Sequence, residues 1–146
     1  MNIQNKNIVI TGAANGIGHA LAKRMTEESP KSISLIDIKS SLKEVARSLN
    51  ADSYIVDVSN EHDFQTVLKD IINKNGSIDL FCSNAGIQQF GTLETSTLDW
   101  QKNWDVNVMS HIYAAKVLIP QMKKQGSGYL LLTVSAAGLL NMPGAI

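Results

Sequence analysis

Apolar positions in this chain fall into short unbroken runs, separated by stretches with helical spacing. Ile8-Val9-Ile10, Ser32 to Ile36, Tyr54-Ile55-Val56, Ile78 to Cys82 and Tyr129 to Val134 each read as a strand. Apolar residues follow one another in these runs without in–out alternation, the pattern of strands covered on both faces. Between the runs the period lengthens. A first helix is predicted from Ile17 to about Glu28, stopped by Ser29-Pro30. Leu42, Val45, Ala46 and Leu49 share one face of a second helix over Leu42 to Leu49. A third begins at Ser59 or Asn60, either of which can cap it, with acidic residues in its first turn. Its apolar stripe is Phe64, Val67, Leu68, Ile71 and Ile72, and Asn75-Gly76 ends it. A polar irregular segment runs to about Thr97, and a long helix follows from Leu98 to about Lys124, tolerating Pro120.

Strands alternating with helices predict an α/β fold with a doubly wound parallel sheet in strand order 3-2-1-4-5. At 146 residues this is expected to be one domain. Ligands bind such sheets beyond the carboxyl ends of the strands, where the winding reverses, here between the first and fourth strands. Asp37, Asp57, Asn84 and Ser135 all fall at those ends.

The segment Thr11-Gly12-Ala13-Ala14-Asn15-Gly16-Ile17-Gly18 joins the first strand to the first helix. In that context each glycine has a task. Gly12 lets the chain leave the strand in a tight turn. Gly16 lets backbone N–H groups approach an anion with no Cβ in the way. Gly18 lets the helix lie close to the sheet. The N-terminus of that helix carries unpaired N–H groups and partial positive charge, which suits a pyrophosphate. No Lys-Ser/Thr pair follows the glycines, which disfavours a nucleoside triphosphatase. Asp37-Ile38 lies at the tip of the second strand, 19 residues beyond Gly18. A carboxylate there can accept both hydroxyl protons of an adenosine ribose and would repel a 2′-phosphate. No arginine or lysine occupies the glycine turn, so NAD is favoured over NADP, a preference that the nearby Lys39 tempers.

Charge and cysteine content narrow the classes further. The 13 basic and 13 acidic residues cancel without long runs, which argues against nucleic acid or an anionic membrane as partner. Cys82 is the sole cysteine, expected to be a buried inert thiol, so no intrachain disulfide can form. No apolar run reaches membrane-spanning length and residues 1–6 do not read as a signal peptide, so a cytoplasmic protein is expected. His19, His62 and His111 show no metal-ligand spacing, and no metal site is expected. Trp100 and Trp104, at i and i+4, are expected to pack rather than bind.

Taken together, these residues resemble the short-chain dehydrogenases/reductases. Residues 11–18 are similar to the T-G-x-x-x-G-I-G cofactor motif of that family, and Asp57-Val58 to the acidic pair it places near the adenine ring. Ser83-Asn84-Ala85-Gly86 resembles N-N-A-G, with serine in the first position, a motif that stabilises the central sheet there. Asn107 matches the helix asparagine of its proton relay. Ser135, within Leu132 to Gly138, matches its catalytic serine. The resemblance implies a Rossmann-type NAD(P)-binding domain over residues 1–146 and hydride transfer between nicotinamide and an alcohol or carbonyl substrate. It also implies pairing of copies through the helix over residues 98–124.

One departure matters. The family places a tyrosine, with a lysine four residues later, a dozen or so residues beyond the serine. No Tyr-x-x-x-Lys occurs in the 146 residues, since Val58, Val117 and Thr133 stand four beyond Tyr54, Tyr113 and Tyr129. The chain is therefore expected to be the N-terminal part of a dehydrogenase, cut before its catalytic pair and inactive alone. Its fifth strand is expected to be an exposed apolar edge through which copies could associate. Two alternatives remain: a dinucleotide-binding module without turnover, and a methyltransferase-like sheet. Asn84-Ala85-Gly86 with Asn107 and Ser135 weighs against the latter.

Overall fold

In the computed structural model, which describes residues 2–136, five strands pair in parallel. They are β1 (Asn7–Thr11), β2 (Ser32–Asp37), β3 (Asp52–Ile55), β4 (Leu80–Ser83) and β5 (Tyr129–Leu132). Their order across the sheet is β3-β2-β1-β4-β5, as the alternation of strand and helix patterns predicts. The helices are α1 (Gly16–Thr26), α2 (Leu42–Ser48), α3 (Glu61–Asn75), α4 (Thr97–Trp104) and α5 (Ser110–Gln125).

Every residue of β1 is buried, because helices cover it on both sides. On one face, Val9, Ile36 and Phe81 pack with Phe64, Leu68 and Ile71 of α3 and with Ala114 and Leu118 of α5. On the other, Ile8, Ile10, Leu35 and Cys82 pack with Ala22 of α1 and with Leu42 and Ala46 of α2. Alternate residues of each strand thus feed two separate cores, which is why the strands read as unbroken apolar runs. Asn60 caps α3 by accepting the Asp63 N–H, and Gly76 ends that helix in the left-handed region at φ 85°.

The structure differs from the sequence reading in three places. β3 and β4 start and stop one or two residues away from the predicted runs, and β5 stops at Leu132 rather than Val134, because pairing with the neighbouring strands, rather than apolarity, decides their ends. The long helix is not continuous: residues Asp105–Met109 form a π turn between α4 and α5. The Ser110 hydroxyl donates to the Val106 carbonyl at 2.7 Å within this widened turn. Finally, Trp100 and Trp104 are 43% and 55% exposed, and α4 buries none of its residues, so these rings do not pack as expected. β5 pairs with β4 alone among the described residues, and Tyr129, Leu131, Leu132 and Val134 are exposed, as foreseen for an apolar edge.

Candidate nucleotide-binding site

The turn after β1 is built around Thr11. Its buried hydroxyl accepts the N–H groups of Asn84 at 2.9 Å and Ala85 at 3.0 Å, and donates to the Cys82 carbonyl. The Asn84 amide returns a bond to the Thr11 carbonyl at 3.2 Å and accepts the Thr133 hydroxyl at 2.9 Å. The carboxyl ends of β1, β4 and β5 are thereby tied into one rim.

Two glycines make this rim possible. A Cβ on Gly12, whose φ is 67°, would stand 2.9 Å from the Ala85 Cα. A Cβ on Gly18 would run into the Gly12 carbonyl oxygen. Gly16 differs: its φ of 56° favours glycine, yet nothing lies within 4 Å of where a Cβ would point. α3 and α4 cap themselves with Asn60 and Ser96, whereas Asn15 makes no side-chain cap bond to α1. α1 thus starts without a side-chain cap and with open space at Gly16, and a helix N-terminus of that kind suits an anion.

Asp37 ends β2 and is only 9% exposed. One carboxylate oxygen accepts the Ala14 N–H at 2.9 Å and the other the Lys39 N–H at 3.0 Å. Asp57 is likewise committed on one side, where a single oxygen accepts both the N–H and the hydroxyl of Ser59. These bonds leave lone pairs of both carboxylates available to a ligand.

A cleft of about 590 Å³ opens between these groups. Its walls include Gly12, Asn15, Gly16, Ile17, Asp37, Ile38, Asp57, Val58, Asn84, Ala85 and Gly86, all singled out from sequence. Thr11 and Gly18 shape the cleft from behind without lining it. Asn107 also stands behind the wall: its side chain accepts the Ile87 N–H at 2.9 Å and donates to the Ile87 carbonyl and to Asn103, each at 2.8 Å. Ser135 is exposed, three residues beyond β5, and does not line the cleft. Ala137 and Gly138, the last residues of its motif, lie outside the described residues.

Lys39 and Ile87 line the cleft as well, and so do Val56, Lys102, Val106 and Thr133, which were not anticipated as site residues. For Lys102 and Val106 the signal was present, since they stand four apart on a helix leading into the Asn107 motif. Nearby, the Ser83 hydroxyl and His111 Nδ1 are 2.5 Å apart. Burial holds the His111 imidazole below its ordinary pKa, partly offset by a hydrogen bond to the Asn107 backbone. Burial also pushes the Cys82 thiol up to about 12, so it is inert at neutral pH. Among the described residues no helix is long and apolar enough to cross a membrane.

Comparison with known proteins gives a consistent picture. A family model described as short chain dehydrogenase matches residues 6–146. An uncharacterized oxidoreductase of Thermotoga maritima is 32% identical over 98% of this chain and 59% of its own length. The meso-2,3-butanediol dehydrogenase of Serratia marcescens is 33% identical over 95% of this chain and 57% of its own. Among solved structures, a short chain dehydrogenase/reductase from Burkholderia phymatum in complex with NAD superposes with a TM-score of 0.91 at 31% identity, covering 99% of this chain and 54% of that one. An NAD+-bound xylitol dehydrogenase superposes with a TM-score of 0.89 at 28% identity, covering 99% and 58%. The chain thus spans less than two thirds of the length of these relatives.

Proposed function

The chain belongs to the short-chain dehydrogenase family, and from that premise we propose that it holds NAD along the carboxyl edge of the sheet for an alcohol or carbonyl oxidoreductase. The observation that carries the reading is the joining of the glycine turn to the strand-2 acid by the Ala14–Asp37 hydrogen bond, on the wall of one cleft. Had these two features stood on opposite rims, the reading would fail.

The residues fit the cofactor at each end. The open N–H groups of α1, with Gly12, Asn15, Gly16 and Ile17, suit the diphosphate. Asp37 suits the adenosine ribose, and its charge disfavours a 2′-phosphate, so NAD is preferred to NADP. Ile38, Val58 and Val106 offer apolar walls for the base, with Asp57 at its edge. Asn84-Ala85-Gly86 forms the floor toward the nicotinamide side. A bound nicotinamide supplies the hydride donor or acceptor. Ser135 would donate a hydrogen bond to the substrate oxygen as charge develops on it, and Asn107 holds the wall at Ile87 in place.

Moving the substrate proton needs an acid–base group. The family's tyrosine and lysine have no counterpart by motif in the 146 residues, so these residues alone bind without turnover. Copies associate through the helical segment 98–124, where Leu98, Trp100, Trp104, Ile112 and Ile119 are exposed. Calorimetric titration with NAD tests the binding, with an assay of NADH production beside it. Saturable binding without turnover is expected, and absence of binding overturns the proposal. Light scattering at micromolar concentration should find a dimer or larger, and a monodisperse monomer refutes the association.

A further inference from the structure

Groups on the walls of the cleft stand at or just past the carboxyl ends of the strands, so they follow one another in the order of the sheet. Asp57 lies beyond β3, Asp37 ends β2, Gly12 follows β1, Asn84 follows β4 and Thr133 follows β5. With the adenosine ribose at Asp37 and the diphosphate at the glycine turn, Thr133 stands on the far side, past Asn84. Two bonds hold it there. Its N–H donates to the Ser83 carbonyl at 3.0 Å, which carries the β4–β5 pairing one residue beyond β5. Its hydroxyl meets Asn84 Oδ1 at 2.9 Å.

The direction of that second bond is fixed. Asn84 Nδ2 donates to the Thr11 carbonyl at 3.2 Å, and a carbonyl oxygen can only accept. The other end of the Asn84 amide is therefore the oxygen, and the Thr133 hydroxyl gives its single proton to it. Its lone pairs accept nothing among the described residues, and the side chain is exposed on the cleft wall. A hydroxyl in that state offers a ligand acceptors only, so it recognises an O–H or N–H donor and not a phosphate or a carboxylate. The β-branched side chain and the bond to Asn84 place this oxygen before a ligand arrives, so accepting a bond costs little ordering.

We infer that Thr133 contacts the cofactor, accepting a hydrogen bond from the half of the dinucleotide beyond the diphosphate. The donor is a hydroxyl of the second ribose or the amide N–H of the nicotinamide. This rests on the dinucleotide reading given above.

The test is equilibrium binding of NAD, ADP-ribose and ADP to the wild-type chain and to Thr133→Val, Thr133→Ala and Thr133→Ser. ADP ends at the diphosphate, ADP-ribose adds the second ribose, and NAD adds the nicotinamide. Thr133→Val keeps the shape and removes the oxygen, and it should weaken NAD by roughly fivefold, the size of one neutral hydrogen bond. ADP affinity should not change. Thr133→Ala, which leaves no methyl where the oxygen stood, should show the same pattern, and Thr133→Ser should bind NAD nearly as the wild type does. A loss shared by ADP-ribose assigns the donor to the ribose, and a loss confined to NAD assigns it to the nicotinamide amide; either upholds the inference. An equal loss for ADP overturns it, since the hydroxyl would then act only by holding Asn84 and the rim. A loss in Thr133→Val that Thr133→Ala does not share, or one that Thr133→Ser fails to restore, overturns it too. Unchanged NAD affinity in Thr133→Val overturns the inference while leaving the dinucleotide reading intact. A wild-type chain that binds none of the three ligands defeats the dinucleotide reading and this inference with it.

Discussion

The Ala14 N–H donates to the carboxylate of Asp37 at 2.9 Å, so the tip of the second strand holds the glycine turn in shape. The acid expected to select the cofactor is therefore also a structural tie. Its substitution has two effects that can be separated. Asp37→Ala removes the acceptor of a buried N–H and should cost about 1–3 kcal/mol of stability. Asp37→Asn can keep its oxygen toward Ala14 and should unfold closer to wild type. Both variants should lose NAD affinity by at least about tenfold, which is the loss of one good charge-assisted contact, and lose much less affinity for NADP. Calorimetric melting and titration read the two effects. Equal losses for both dinucleotides in Asp37→Asn would remove this residue from ribose recognition.

Gly16 and Gly18 lie two residues apart and should respond in opposite ways to alanine. A methyl on Gly18 meets the Gly12 carbonyl oxygen and the Asn84 side chain, so Gly18→Ala must push α1 off the rim. It should lower the melting temperature markedly. Gly16 has open space in front of it, and Gly16→Ala pays only for its left-handed φ, about 1 kcal/mol. That variant should stay folded and yet bind NAD poorly, because the methyl fills the space proposed above for the diphosphate. Circular dichroism melts beside NAD titrations would reveal the contrast. A Gly16→Ala chain with full affinity would show that no anion sits there.

Much of this arrangement was legible in the chain itself. The order of the sheet followed from alternating patterns, and Gly12, Asn15, Gly16, Ile17, Asp37 and residues 84 to 86 line one cleft, as the placing of the glycine turn and the polar strand ends implied. The π turn at Asp105–Met109 was not legible, because a single inserted residue leaves the apolar spacing on either side almost unchanged. The exposure of Trp100 and Trp104 was hidden for a related reason: i, i+4 spacing reports a shared face, but not what that face meets. Lys102 escaped notice because an isolated lysine on a helix resembles any solvated surface residue until the cleft wall is seen.

His111 gives the fold a pH dependence near neutrality. Its imidazole is held below the ordinary value of 6.5 chiefly by burial, so as pH falls the unfolded chain takes up this proton before the folded chain does. The stability it contributes is fully present above about pH 6.5 and is lost as pH drops through the lower folded value. The urea midpoint should therefore fall between about pH 7 and about pH 5. His111→Gln, which can still bond Ser83, should flatten that part of the profile. A profile of identical slope in the variant would assign the pH dependence to other groups.

Asn107 clasps the backbone of Ile87 in both directions, accepting its N–H at 2.9 Å and donating to its carbonyl at 2.8 Å. This pairing mimics one rung of a sheet, made by a side chain from within the π turn. Ile87 lines the cleft, so the clasp fixes the wall just past Gly86, where an added Cβ would already come within 3.2 Å of the Asn107 side chain. Asn107→Leu keeps the volume and deletes every one of these bonds, which should cost about 1–3 kcal/mol. The loss should be local: hydrogen exchange at the Ile87 amide should speed up about tenfold or more, while the amides of β1 keep their protection relative to global unfolding. NAD affinity should fall with it, since a loosened wall must be reordered on binding. Exchange at Ile87 that stays as slow as in the wild type would show that the wall is held by something other than this clasp.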